Sequence, residues 1–155
     1  MMRYLAAVLA LCLAQPVWAN EAEQDAAFRQ CVAETKDEGV STSYHHCTGA
    51  LVTSCGNEET AKAAVDCINT SRDRLKGKIA VATEVLSAET GEPVQEIEAT
   101  LADTRASGES ACALMARNDA DAGVAVGQRA VNLAFCELVA EGDVYALLVV
   151  LEGTE

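Results

Sequence analysis

Cysteine is the residue type in this chain with the widest range of chemistry, because a thiol can bind a metal, attack a substrate or form a disulfide. One of the seven cysteines, Cys12, lies in an apolar run close to the N-terminus. The other six are spread along the chain, and no two of them are closer than eight positions. Zinc ribbons use cysteine pairs two residues apart, so this spacing argues against a metal site. The six are Cys31, Cys47, Cys55, Cys67, Cys112 and Cys136.

The two histidines, His45 and His46, directly precede Cys47. A cysteine nucleophile would need Cys47 as a free thiol. Adjacent residues on a helix point about 100° apart, so the two imidazoles do not converge on one ion. The chain has no Gly-x-Ser-x-Gly, no His-Glu-x-x-His and no glycine-rich phosphate loop. Paired carboxylates are present, but an aromatic content of 4% supplies a sugar cleft poorly. We therefore predict no catalytic residue, no metal and no cofactor, and a protein that is not an enzyme.

The N-terminus has the three parts of a secretory signal. Arg3 is followed by an apolar run from Tyr4 to Leu13, and Val17-Trp18-Ala19 forms a cleavage site. The run is too short to span a bilayer, which disfavours a membrane anchor. Leu11 is not the small residue that a lipoprotein signal places before its cysteine. We predict a signal peptide over residues 1–19, cleavage after Ala19, and a periplasmic or secreted protein.

Export decides how the remaining cysteines are interpreted. An even number of cysteines in an oxidising compartment is typical of disulfides. The six positions flank expected turns between helices, so sequential pairing would join each helix to its neighbour: Cys31–Cys47, Cys55–Cys67 and Cys112–Cys136. The nested alternative, which joins Cys47 to Cys55, is disfavoured because eight helical residues separate the Cα atoms by about 12 Å.

The charge of the chain restricts its partners. Asp and Glu number 24 against 11 Lys and Arg, which gives a net charge of −13. Nucleic-acid binding requires a basic face, and the large excess of acids argues against one, so we predict no nucleic-acid partner. A basic protein is the favoured partner, since opposite charges steer association. No segment after the leader has the roughly 18–20 consecutive apolar residues of a spanning helix, so we predict no membrane span in the mature chain.

Apolar residues recur every three or four positions, which indicates helices. The clearest helix is predicted between Asn57, as its N-cap, and Ser87. Its inward stripe consists of Ala61, Val65, Ile68, Arg72, Leu75, Ile79, Ala82 and Leu86. Gly91 is expected to end this helix, and Pro93 to begin the next.

The rest of the chain follows the same pattern. Helices are predicted over 21–35, from Thr42 or Ser43 to about Cys55, over 94–115 and over 124–139, the last with Phe135 facing inward. Residues 118–123 are predicted to be a polar connection, and Glu141-Gly142-Asp143 is predicted to interrupt the last helix. The tail 144–151 is a helix or a strand, with helix favoured. Residues 20–155 are therefore expected to form one all-α, disulfide-stapled bundle of four to five helices.

Two stretches of this sequence are similar to the LprI-like family of small exported bacterial proteins. The first is Cys47-Thr48-Gly49-Ala50 followed by Cys55, Glu59 and Cys67. The second is Leu101, Arg105 and Cys112, followed by Gly123 and Cys136. The resemblance extends roughly from Cys31 to Leu151 and implies a small helical protein held by disulfides. Because the member that gives the family its name inhibits lysozyme, the resemblance implies a lysozyme inhibitor that acts by protein–protein binding.

A second hypothesis is a non-catalytic structural or adaptor protein of the cell envelope. Such a protein would bind through an exposed apolar patch, for which Tyr145–Leu151 is the candidate. The residues that would contact a partner are not predicted by either hypothesis. Arg72 and Arg105 are expected to form structural ion pairs within the acidic bundle.

Overall fold

The protein is all-α, as the periodicity predicts. The computed structural model describes residues 17–37, 44–51, 55 and 58–153. It contains helices α1 (Val17–Asp37), α2 (Ala61–Thr90), α3 (Val94–Asp121) and α4 (Val126–Glu152), with a 3₁₀ helix at Tyr44–Leu51. The described residues include no strand. Most of the predicted signal peptide, and the expected caps Thr42, Ser43 and Asn57, lie outside the described residues.

Helix α4 is the centre of the bundle. It packs along both α2 and α3, whereas α2 and α3 contact each other much less. The 3₁₀ helix and α1 also pack against α4. Leu138, Val144 and Leu148 of α4 are completely buried. Because α4 buries residues on most of its circumference in its second half, it is a core helix with little polar face.

Helix α2 lies where the sequence predicts, with a different start. The side chain of Thr60, and not Asn57, caps it by accepting a hydrogen bond from the backbone N–H of Ala63 at 3.1 Å. Its last residue is Thr90, and Gly91 ends it with a φ of 75° in the left-handed region. Most of the predicted stripe is buried, although Ala61 at the first position is exposed.

The predicted break at residues 141–143 is wrong, because α4 continues from Val126 to Glu152. Gly142 is needed there for close approach and not for a turn. A Cβ atom at position 142 would lie 2.5 Å from Oγ1 of Thr48 in the 3₁₀ helix. The flanking acids pair with other elements, Glu141 with Lys76 and Asp143 with His45. A glycine between two charges is typical of a turn, but here each of the three residues serves a tertiary contact.

Two further expectations need correction. Helix α3 extends to Asp121, so the predicted connection 118–123 is largely helical. The expected patch at residues 145–151 is not an exposed surface, because Tyr145, Ala146 and Leu148 are buried. Phe135, predicted to face the core, is 43% exposed.

Three disulfides connect the elements in sequential order. Cys31 in α1 is bonded to Cys47 in the 3₁₀ helix, and Cys55 is bonded to Cys67 in α2. Cys112 in α3 is bonded to Cys136 in α4. The disulfides therefore fix the contact of α1 with the 3₁₀ helix and that of α3 with α4, whereas α2 is held on α4 by noncovalent contacts alone.

No described helix combines the length and apolarity that crossing a bilayer requires.

Candidate functional site

An apolar cleft of about 620 Å³ lies beside the first half of α4. Its floor is formed by α4, including Phe135 and Val139, and its walls come from α2 and α3. Ala64 and Ala111 line the two walls, and the Cys112–Cys136 disulfide also lines the cleft. The 3₁₀ helix contacts α4 farther along, at Gly142 and Asp143, and Tyr145 meets α1. We call this space the apolar cleft.

Polar groups of the apolar cleft are few. Nδ1 of His45, in the 3₁₀ helix, lies 3.0 Å from Oδ2 of Asp143 on α4. Eleven positions earlier on α4, the Asn132 amide donates a hydrogen bond to Asp119 at 2.7 Å. Burial raises the pKa of Asp143 above its ordinary value, although the interaction with His45 lowers it in part. The described residues lining the cleft include no Ser, Thr, Tyr or Lys, so the His45–Asp143 pair faces no nucleophile there.

A polar network connects α1, α2 and the end of α4. The Tyr145 hydroxyl accepts a hydrogen bond from Nη2 of Arg29 at 2.8 Å and donates one to Oδ1 of Asp25 at 3.0 Å. Arg29 also contacts Glu152 at 2.7 Å, and Lys78 contacts Asp25 at 2.9 Å. Burial raises the pKa of Asp25, but the hydrogen bonds from Lys78 and Tyr145 and the charges of Lys78 and Arg29 together outweigh burial, so this pKa lies below its usual value. Every side chain in the network has a partner, which is typical of a structural role.

Replacement of Tyr145 by Phe should lower the free energy of unfolding by about 1–3 kcal/mol, because the hydroxyl bridges Asp25 and Arg29 in a buried setting. Burial, followed by the charge of Asp25, raises the pKa of Tyr145 from 10.0 to about 12. A raised folded-state pKa means that this stabilisation is complete below pH 10 and is lost as the pH rises towards 12. Urea unfolding at pH 7, 10 and 12 should therefore show the two proteins converging. Tyr44→Phe is the control, and a constant difference across this pH range would contradict the expectation.

The α2–α3 turn carries a concentration of acids. Residues 79–104 contain six acidic residues and no Lys, Arg or His. Glu84, Glu89, Glu92 and Glu96 are all exposed, and none of them forms an ion pair with a described residue. The turn itself is well ordered, because the Gly91 N–H donates to the Ser87 carbonyl at 2.9 Å. We call these four glutamates the acidic turn.

The structure separates the two histidines. His45 pairs with Asp143, whereas Nε2 of His46 lies 3.1 Å from the Thr35 hydroxyl and 3.5 Å from Sγ of Cys47. Cys31, His46 and Cys47 are close enough together to hold a metal ion. In this structure the two sulfur atoms are bonded to each other, so neither is a thiolate ligand.

Both arginines singled out in the sequence form ion pairs. Arg72 pairs with Glu137 of α4, and Arg105 lies 3.5 Å from Glu98 on its own helix. Sequence reasoning missed Asp143 and the exposed ring of Phe135. The sequence did contain a signal for the exposed ring, because α4 has apolar residues on more than one face. Its neighbours cannot cover all of these faces, so some apolar side chains of α4 remain exposed.

No family model, no curated protein and no solved structure compared with this chain matches it.

Proposed function

We propose that this protein is exported and acts by binding a basic protein, and that its target is a lysozyme. The observation that carries the proposal is the acidic turn, which concentrates unpaired negative charge at one end of the α2–α3 hairpin. The similarity of the cysteine frame to the LprI-like family supports lysozyme as the target. The disulfides fit an oxidising compartment.

Positive charge is used elsewhere in the fold. Seven Lys and Arg residues form ion pairs with acids of the chain itself, most of them between helices. Arg74 reaches Glu21 of α1, and Lys76 reaches Glu141 of α4. The bundle therefore neutralises several of its acids near the packed interfaces, whereas the four glutamates of the turn remain without ion pairs to the described residues and present negative charge to a cationic partner.

One glutamate of the acidic turn is unfavourably placed for the stability of its own helix. Glu89 lies near the C-terminus of α2, where the helix dipole favours cations, and the last turn of α2 contains no basic residue. A charge that is unfavourable for its own helix, on an ordered surface, is expected where binding to a partner, and not stability, determines the residue type. Val81 and Val85, which are 61% and 44% exposed, lie on the same helix and can supply the apolar part of an interface.

The test is inhibition of chicken-type and goose-type lysozymes acting on peptidoglycan, at low and at physiological salt. The protein recovered after export should begin at Asn20 if the signal peptide is cleaved as predicted. Inhibition should weaken as salt rises, because exposed charges are screened over about 8–10 Å. Absence of inhibition of both enzymes would overturn the lysozyme proposal. Binding that is insensitive to salt would instead indicate an envelope adaptor.

A charge-matched pair of variants locates the interface. Replacing the four acidic-turn glutamates by Gln should weaken inhibition at low salt by roughly tenfold or more. The control replaces four other exposed acids, Glu23, Glu58, Glu59 and Asp73, by their amides. Both variants change the net charge equally, so an equal loss in both would show that the turn is not the binding surface.

A further inference from the structure

We infer that the apolar cleft binds the alkyl chain of a cationic amphiphile, with the ammonium head group at the His45–Asp143 end. The cleft and the acidic turn have no residue in common. This inference therefore goes beyond the proposed function and stands or falls separately from it.

The dimensions of the cleft suit a single alkyl chain. Its floor follows α4 from Asn132 to Asp143, a length of about 16 Å at the helical rise. Its volume of about 620 Å³ lies within the range of ligand clefts, roughly 300–1,000 Å³. A channel of this length along α4, with α2 and α3 as its walls, accommodates an extended alkyl chain parallel to the axis of α4.

The cleft presents apolar surface that the described residues leave uncovered. The ring of Phe135 is 43% exposed although neighbouring residues on α4 are buried. The wall residues Ala64 and Ala111 have small side chains, so they leave the space between the helices unfilled. Helices α3 and α4 meet closely at Gly108, because a Cβ atom there would lie 2.5 Å from the Cβ atom of Ala140. The close contact at Gly108 narrows the cleft, and the small side chains of Ala64 and Ala111 keep it open.

The charge at the cleft selects the head group. Asp143 lies at one end of the floor and is half-buried, and the described lining residues include no Lys or Arg. Of the lining residues that the structure describes, His45 is the one basic residue, and it already contacts Oδ2 of Asp143. The whole chain carries −13, so it repels carboxylate and sulfate head groups. A protonated amine or quaternary ammonium gains attraction from Asp143 at the end where the apolar lining stops. Burial raises the pKa of Asp143, which agrees with a carboxylate that lacks full compensation.

A single methyl group can report binding. The three methionines are Met1, Met2 and Met115, and of these Met115 lines the cleft. We would label the methionine methyl groups with ¹³C and titrate the exported protein, disulfides intact, with dodecyltrimethylammonium and with dodecyl sulfate, both below their micellar concentrations. The expected result is a saturable shift of the Met115 methyl signal with the ammonium compound and at least tenfold weaker binding of the sulfate. No shift of Met115 at saturation, or equal affinity for the two compounds, would overturn the inference.

Two matched pairs of variants separate the cleft from general attraction to an acidic protein. Ala111→Trp places an indole in the cleft and should abolish the shift, whereas Ala113→Trp, at an exposed position on α3 outside the lining, should preserve it. Asp143→Asn should weaken ammonium binding about tenfold. Asp121→Asn removes the same charge from an exposed site and should leave binding unchanged.

Nuclear Overhauser contacts locate the bound alkyl chain without any substitution in the protein. Nuclear Overhauser contacts from the alkyl protons to the Met115 methyl and to the Phe135 ring are expected in the unaltered protein. Equal binding by the two tryptophan variants, or alkyl contacts elsewhere on the surface, would show association outside the cleft and would overturn the inference.

Discussion

Replacement of Cys112 and Cys136 by Ala is expected to lower the free energy of unfolding by about 3–4 kcal/mol. Their disulfide closes a loop with a sequence separation of 24, the longest of the three. Helix α3 has few contacts with α2, so α4 is its main support. Without the bond, the unfolded chain gains conformational freedom, which favours unfolding. In the folded protein, α3 is then held on α4 by packing alone.

Urea unfolding of the variant and the parent protein, both oxidised, measures this effect. The control is the same replacement of Cys55 and Cys67, whose separation is 12. Halving the loop should reduce the loss by about 0.6 kcal/mol, because closure entropy grows slowly with length. A loss below 1 kcal/mol for the Cys112–Cys136 variant would contradict the expectation, and would mean that noncovalent packing alone fixes α3 on α4.

Gly142→Ala is expected to destabilise the protein by about 1–3 kcal/mol, although alanine favours helices over glycine. The added methyl group would lie 2.5 Å from Oγ1 and 3.2 Å from Cγ2 of Thr48, which is completely buried. The 3₁₀ helix would have to move away from α4, and this movement would disturb the nearby His45–Asp143 pair.

Gly77→Ala is the matched control, because Gly77 is exposed in the middle of α2 and a Cβ there has no neighbour within 4 Å. That variant should stabilise the protein by about 0.5–1 kcal/mol. Combining Gly142→Ala with Thr48→Ala should recover part of the loss, since the smaller side chain removes the overlap. Thermal and urea unfolding of the four proteins give these values. Stabilisation by Gly142→Ala would show that the 3₁₀ helix does not pack closely on α4.

The acidic turn and the apolar cleft are separate surfaces with different chemistry. The turn is exposed and charged, so its interactions should be fast and sensitive to salt. The cleft is apolar along most of its length, so binding there should persist when charges are screened. Salt titrations of lysozyme inhibition and of amphiphile binding can therefore distinguish the two surfaces in the same preparation.

The local features of the fold could be predicted from the sequence. The spacing of apolar residues every three or four positions is a direct consequence of the 3.6-residue helical repeat, so α2 and most of α3 were correctly placed. Gly91 ends α2 because its left-handed conformation is one that glycine adopts without strain. The sequential disulfides followed from the same reasoning, because cysteines that flank a turn between helices come close together.

Tertiary structure alone decided the features that depend on residues distant in sequence. Gly142 resembles a helix break locally, and only the contact with Thr48, in another element, explains why it lies within a continuous helix. The hydroxyl of Tyr145 bonds to Asp25 across 120 positions, which no periodicity indicates. The apolar cleft exists because the walls have small residues and because the 3₁₀ helix meets α4 at Gly142 and not at Phe135. Helical periodicity identifies which side of a helix is apolar, whereas the position and length of its neighbours determine how much of that side is covered.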